Sequence, residues 1–227
     1  MSIHLDQVIP FGRSFREYEL IFNLTADDCR KTILDCGGGP SSFNADLTAR
    51  GGRVVSFDPL YELPAAHIKQ RFLETIDGVI EQIDRTPGNW VWTYHRGSAD
   101  LRRNREAALC AFLVDYEAGL AAGRYVHASL PTLPFANDRF DLALSSHLLF
   151  LYSDLLSWEF HLASVREILR VSTELRIFPL LTLGCTRSPY VGPLRASLEA
   201  EGWRVSIERV GYELQRGGNE MMRIAPR

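Results

Sequence analysis

The chain has 227 residues, and its 46% hydrophobic, 11% aromatic and 23% charged composition supplies a packed core, which excludes disordered and fibrous classes. With 25 Lys and Arg against 28 Asp and Glu, the net charge of −3 lacks the basic excess that draws a chain to DNA. Four scattered cysteines without a CxxC pair indicate neither a disulfide framework nor a metal site.

The ends and apolar runs of the chain bear on its location. The first residues show no basic stretch followed by an apolar one, and no apolar run approaches the ~18 residues that span a bilayer. We therefore expect a cytoplasmic protein without membrane contact.

The N-terminal stretch at about 8–30 mixes aromatic residues with Arg13 and Arg16. Its spacing favours an amphipathic helix packed on a sheet edge. The alternative is a lid that folds over a bound ligand.

Residues 32 to 58 predict a strand, a glycine loop, a helix and a second, parallel strand. Apolar residues then recur every three or four positions over 65–84 and 101–123, which predicts two amphipathic helices. Because a crossover needs only about 10 to 12 residues, the segment at about 62–124 is a helical insertion. If this insertion is functional, we expect a substrate lid or a homodimer contact.

The second half predicts five more strands, at 125–127, 140–146, 174–181, 203–210 and 220–224. Asp154 is expected to cap a helix whose apolar face begins at Leu155, and Pro193 to open another that Gly202 closes. Gly217-Gly218-Asn219 is typical of a hairpin, so the last two strands should be antiparallel. The chain is thus expected to form one α/β domain: a doubly wound, mostly parallel seven-stranded sheet with an antiparallel C-terminal hairpin strand and a helical insertion.

The sequence Ile33-Leu-Asp-Cys-Gly-Gly-Gly-Pro-Ser-Ser42 places three glycines between a strand and a helix, where backbone can approach a ligand. Asp35 ends a buried strand and needs a partner, because an unpaired buried carboxylate is costly. Asp58 ends the next strand and can accept the hydroxyls of a ribose. The alternative is that both carboxylates only cap strand ends. A nicotinamide site is disfavoured by Asp35 and by Ser42, which stands where a third glycine is needed.

These residues resemble the class I S-adenosylmethionine-dependent methyltransferases, over about 32–62 and 125–224. The resemblance rests on Ile33-Leu-Asp-Cys-Gly-Gly-Gly, Val54-Val-Ser-Phe-Asp58, Leu133-Pro-Phe and Val165-Arg-Glu-Ile-Leu-Arg-Val. It implies a Rossmann-like methyltransferase fold and S-adenosylmethionine as cofactor. Arg13 precedes the matched segments, and under the lid alternative it is the candidate contact for the cofactor carboxylate. The cofactor-binding positions that the resemblance implies are Asp35, Gly37, Gly38, Gly39, Asp58, Pro59, Ser129, Leu130, Ser145 and Ser146.

The chain departs from the family at two turns. Ser129 stands where many members have an aspartate for the adenine amino group, so adenine contact would rest on Ser129 and the backbone of Leu130. Ser172-Thr-Glu replaces the usual Pro-Gly-Gly turn before the fifth strand.

His147, at the end of the fourth strand, is the best candidate for a general base, and the alternative is a histidine that only packs or caps. Near it the chain lacks both the Asn-Pro-Pro-Tyr element of DNA adenine methylases and the Pro-Cys nucleophile of cytosine enzymes. We therefore expect a methyltransferase acting on a small molecule.

The alternative function is a non-catalytic nucleoside-binding fold whose insertion binds RNA. The insertion offers the stacking and basic residues Trp90, Trp92, Tyr94, His95, Arg96, Arg102, Arg103 and Arg105. Its 8 Arg or Lys against 9 Asp or Glu, a net of −1, instead favour a solvated helix face beside a buried aromatic cluster.

Overall fold

The fold, taken from a computed structural model that describes residues 9–227, is organised around a seven-stranded sheet. The strands are β1 (Thr32–Cys36), β2 (Arg53–Phe57), β3 (Tyr125–Val126), β4 (Leu142–Ser146), β5 (Leu175–Phe178), β6 (Trp203–Arg209) and β7 (Glu220–Pro226). Their order across the sheet is β3-β2-β1-β4-β5-β7-β6. The first five are parallel, and β7 runs antiparallel to both β5 and β6. The predicted fold class is confirmed.

Six α-helices accompany the sheet in the described part of the chain: α1 (Phe15–Ile21), α2 (Phe43–Ala49), α3 (Ala65–Arg85), α4 (Ser98–Ala121), α5 (Trp158–Val171) and α6 (Val191–Ala200). Two helix starts differ from prediction. Ser157, not Asp154, caps α5 by accepting a hydrogen bond from the Phe160 N–H at 3.2 Å, and Leu155 is 47% exposed. Helix α6 starts before Pro193, because a proline in the first turn leaves no hydrogen bond broken.

The register of the central strands places the predicted site residues at one edge of the sheet. In the parallel strands β1, β2 and β4, Asp35 is paired with Ser56 on one side and Leu144 on the other. All three strands therefore end at one edge of the sheet. The glycine loop, Asp58 and His147 follow directly there, as expected for ligand-binding edges of α/β sheets.

Both faces of the sheet are covered by apolar side chains. On one face, α1 and α2 pack Phe15, Tyr18 and Phe43 against the strands. On the other, α5 and α6 supply Val165, Ile168, Leu194 and Leu198. This burial of strands on both sides explains the apolar runs Ile33-Leu34 in β1 and Leu142-Ala-Leu144 in β4.

The insertion folds as a pair of packed helices. Helices α3 and α4 share an apolar cluster that contains Ile68, Phe72, Phe112 and Tyr116. The expectation that its arginines form a solvated face is wrong for Arg105, which is 1% exposed because it forms an ion pair with buried Glu17. Arg103 does lie at the surface. Within residues 9–227, no helix is both long and apolar enough to cross a membrane.

The predicted N-terminal lid or helix at about 8–30 begins outside the described residues. The described part contains α1, whose start is fixed by a reciprocal cap. Ser14 Oγ accepts from the Glu17 N–H at 3.3 Å, and Glu17 accepts from the Ser14 N–H at 2.9 Å. This Ser-x-x-Glu pattern is readable in the sequence.

Candidate active site

The glycine loop lies directly on the carboxylate that precedes it. Gly37 and Gly39 adopt positive φ angles of 63° and 53°, a region that favours glycine. A Cβ on Gly38 would lie 2.3 Å from Asp35 Oδ2. The loop therefore tolerates no side chain at its centre and exposes bare backbone to the cleft above it.

Asp35 is 1% exposed and lies beneath this loop. The Tyr18 hydroxyl donates to its Oδ1 and the Ser56 hydroxyl to its Oδ2, each at 2.8 Å. Burial, aided by the charge of Asp58, raises the pKa of Asp35 to about 6. The hydrogen-bonding partner predicted for Asp35 is thus a pair of neutral hydroxyls. No cation compensates the charge of this carboxylate in the described chain.

Asp58 clamps the other end of the loop. Its Oδ2 accepts the Gly39 N–H at 3.0 Å, and its Oδ1 accepts the Leu60 N–H at 2.8 Å. Burial raises the pKa of Asp58 to about 6. Pro59 follows as the first residue of a short 3₁₀ turn, from which the Tyr61 hydroxyl donates to the Gly39 carbonyl at 2.8 Å.

A cleft of about 540 Å³ opens above the loop and Asp58. It brings together eight of the predicted site residues: Arg13, Gly37, Gly38, Gly39, Asp58, Pro59, Ser146 and His147. Its described lining does not include the other four. Asp35 lies under the loop, Ser145 is fully buried, Ser129 is exposed beyond β3, and Leu130 packs against the core.

Sequence reasoning missed several residues of the cleft wall. Tyr18 reaches it from α1, Leu148 covers Gly37, and Arg71, Glu74 and Thr75 reach it from α3. The capping box before α1 was the available signal for Tyr18. The α3 residues carry no motif, since they belong to a helix face that only the packing of the insertion turns toward the cleft.

His147 follows β4 with a positive φ of 54°, an uncommon conformation for a residue other than glycine. Its N–H donates to the Phe178 carbonyl at 2.6 Å, and its Nδ1 lies 2.9 Å from Ser146 Oγ. Burial, together with the charges of Arg13 and Arg105, holds the pKa of His147 well below its ordinary value. The imidazole is therefore neutral at pH 7, and it is a weaker base than an exposed histidine.

A second cavity, of about 80 Å³, adjoins the cleft behind His147. The two spaces share Ile9, Phe11, Arg13 and His147 as lining residues. Most of the remaining wall is apolar and comes from both the insertion and the C-terminal half, with Val79, Ile83, Trp90, Leu101, Leu151, Phe178, Pro179, Leu183 and Leu214. The arrangement offers two adjoining compartments, one polar and one apolar, with an imidazole between them.

A charged cluster borders the apolar cavity. Glu17 is fully buried and accepts from Arg105 Nη1 at 2.8 Å and from the Tyr212 hydroxyl at 3.0 Å, while His95 Nε2 lies 3.5 Å away. Although burial opposes it, Arg105 holds the pKa of Glu17 well below its ordinary value. Burial and the positive charge of Arg105 lower the pKa of Arg13 to about 10.

Comparison with solved structures defines the class of fold. The chain resembles the magnesium protoporphyrin IX methyltransferase ChlM of Synechocystis PCC 6803 with bound SAH, with a TM-score of 0.50 and 11% identity, over 93% of this chain and 81% of that one. It also resembles the mitomycin 7-O-methyltransferase MmcR, with a TM-score of 0.51 and 16% identity, over 94% of this chain and 54% of that one. These likenesses confirm the Rossmann-like methyltransferase fold.

No protein-family model matches the chain. It is 30% identical over 223 residues to the uncharacterized protein MJ0045 of Methanocaldococcus jannaschii, and the match covers 98% of each chain. The chain belongs to the same protein family as MJ0045.

Proposed function

We propose that this protein is an S-adenosylmethionine-dependent methyltransferase that acts on a small molecule. The observation that carries the proposal is the pair of adjoining compartments at the carboxyl edge of β1, β2 and β4. The cleft has bare glycine backbone and a carboxylate in its wall, and the apolar cavity beside it shares His147. The fold neighbour ChlM, crystallised with SAH, supports the choice of cofactor.

The residues of the cleft fit this cofactor. Gly37, Gly38 and Gly39 line the cleft without side chains, and the contact of Gly38 with Asp35 leaves no room for a Cβ beneath the loop, so the cofactor can lie against the backbone. Asp58 lines the cleft and is proposed to accept the ribose hydroxyls. Burial raises the pKa of both Asp35 and Asp58, and neither carboxyl forms an ion pair with an arginine or lysine in the described chain. The ammonium group of the cofactor is proposed to supply a positive charge on the loop above Asp35.

Arg13 is proposed to bind the cofactor carboxylate. Its Nη1 donates to the Phe11 carbonyl at 2.6 Å, whereas its buried Nε has no hydrogen-bond partner among residues 9–227. Pro59 and Ser146 complete the wall. Adenine contact by Ser129 and Leu130, and a role for Ser145, remain predictions from the family resemblance.

The bound cofactor would supply an electrophilic methyl group on a sulfonium, whose C–S bond breaks toward sulfur as the acceptor atom forms its new bond to carbon. Such a displacement depends mainly on positioning. We propose that His147, neutral and placed between the two compartments, takes the proton that an –OH or –NH acceptor must lose.

The insertion is proposed to complete the acceptor site within a single domain. Val79, Ile83 and Leu101 line the cavity, so the acceptor is enclosed rather than bound to an open surface. Trp90 is 5% exposed and His95 is 2% exposed, so these rings offer no stacking surface to RNA. Both observations support a small-molecule acceptor.

Calorimetric titration tests the proposal. We expect S-adenosylmethionine and S-adenosylhomocysteine to bind and NADH not to bind. Asp58→Ala should weaken binding by about 1–3 kcal/mol, since the ribose hydroxyls lose their acceptor. Exposed Asp154, outside the cleft wall, provides the matched control Asp154→Ala, which should leave binding unchanged. Tight NADH binding, or no binding of either adenosyl compound, would reject the proposal.

A further inference from the structure

Arg105, in the wall of the apolar cavity, has a guanidinium edge without a hydrogen-bond partner in the described chain. It is 1% exposed and lines the cavity wall. Its Nη1 donates to Glu17 and to Asn104 Oδ1, each at 2.8 Å, whereas its Nε and Nη2 have no hydrogen-bond partner within the described chain. These two nitrogens share one edge of the guanidinium plane, and their burial without a partner is costly. The wall of the cavity therefore contains a donor pair that lacks an acceptor.

The charges around the cavity also lack a counterpart. Arg13 and Arg105 both line it, and neutral His147 adds no charge. Glu17 lies behind the wall and pairs with Arg105, and no carboxylate lines the cavity in the part of the chain that the structure describes. In the ligand-free protein two buried guanidinium groups therefore share one carboxylate, and an anion at either arginine would relieve the remaining positive charge.

We infer that the methyl acceptor is a small apolar molecule with a carboxylate, and that this carboxylate binds the free Nε and Nη2 edge of Arg105. The inference rests on the proposed function and names the acceptor class of that site. A planar carboxylate matches two parallel donors of a guanidinium edge, which favours it over a point-like anion. The apolar wall formed by Val79, Ile83 and Leu101 suits a hydrocarbon body.

The position of Arg105 indicates that the carboxylate of the acceptor orients the molecule and is not the group that is methylated. Arg105 lines the cavity but not the cleft, whereas His147 lines both. An acceptor held at Arg105 thus directs its other end past His147 toward the cleft. The cavity volume of about 80 Å³ is below the ~150 Å³ that encloses benzene, so the cavity holds only a carboxylate with a short chain, and any larger part of the acceptor extends toward the cleft.

Calorimetry with matched probes tests the inference. We would titrate propanoate and its neutral isostere propanamide, both smaller than benzene, into the protein, with and without S-adenosylhomocysteine. Wild type should bind the acid at least about tenfold more tightly than the amide, as expected for a charge-assisted bidentate contact. Arg105→Lys keeps a positive charge for Glu17 but loses the planar edge, and it should lose most of this preference.

Two further variants separate recognition from folding. The double variant Glu17→Gln/Arg105→Gln removes both members of the buried pair, so no charge is left unpaired, and it should show no preference for the acid. Arg103→Lys changes an exposed arginine of the same helix and should behave as wild type.

The possible failures are distinguishable. Equal affinity for acid and amide, no acid binding at millimolar concentration, or an unchanged preference in Arg105→Lys would each overturn the carboxylate assignment, even where S-adenosylhomocysteine binds. Absence of S-adenosylhomocysteine binding would instead overturn the proposed function, while a preference for the acid in the ligand-free protein would still support an anion site at Arg105.

Discussion

Replacing Asp35 with asparagine should stabilise the ligand-free protein at neutral and alkaline pH. Burial raises the pKa of this carboxyl from 3.8 to about 6. Each pKa unit corresponds to about 1.4 kcal/mol, so the ionised carboxylate costs the folded state about 3 kcal/mol relative to the unfolded chain. Below pH 3.8 the group is protonated in both states and this cost vanishes. The free energy of unfolding of the wild type therefore falls as pH rises from 3.8 through the folded-state pKa of about 6, and it stays lower above that pH.

Asparagine at this position cannot ionise and can still hydrogen-bond the hydroxyls of Tyr18 and Ser56. The gap in unfolding free energy, variant minus wild type, should therefore grow by about 2 kcal/mol between about pH 4 and about pH 8. Urea unfolding of the ligand-free proteins measures it. Asp154→Asn, at an exposed position, is the matched control and should show no such change. A gap that stays constant with pH would refute the argument that Asp35 is held without a compensating charge.

Three further predictions concern the loop and its neighbours. Gly38→Ala should weaken S-adenosylhomocysteine binding at least about tenfold in calorimetry, because the new Cβ meets Asp35. The control Gly78→Ala lies in open space on α3 and should instead stabilise the fold by up to about 1 kcal/mol. Binding should weaken below about pH 6 as Asp35 and Asp58 are protonated, and Asp58→Asn should reduce this dependence. The His147 imidazole should give neutral-form NMR signals at pH 7. His147→Asn should lower kcat by about 10²–10⁴ without unfolding the protein, because asparagine tolerates the positive φ of this position. Protonated signals at pH 7, or an unchanged kcat, would contradict the assigned role.

Short apolar runs bounded by turn residues predicted all seven strands, and an apolar period of three to four residues predicted both insertion helices. The start of α5 was missed for a local reason. Asp154 and Ser157 are both good capping residues, and the choice fell to Ser157 because residues 150–156 fold into 3₁₀ and irregular turns. Capping residues mark where a helix can begin, and tertiary packing decides between neighbouring candidates.

More of the cleft than of the cavity could be predicted from the sequence. The glycine loop and Asp58 are local patterns at strand ends, so they were readable and lie together as expected. The cavity cluster joins Glu17 to Arg105 across 88 positions and to Tyr212 across 195. No spacing rule connects such residues, and Arg105 therefore looked like one of several surface arginines until the insertion was placed against α1.

A crystal structure of the complex with S-adenosylhomocysteine tests the central claim most directly. The account predicts the ribose at Asp58, the amino-acid end over Gly37 to Gly39, and the sulfur facing His147 and the apolar cavity. Electron density for the ligand outside this cleft, or a sulfur turned away from the cavity, would contradict the assignment of the two compartments.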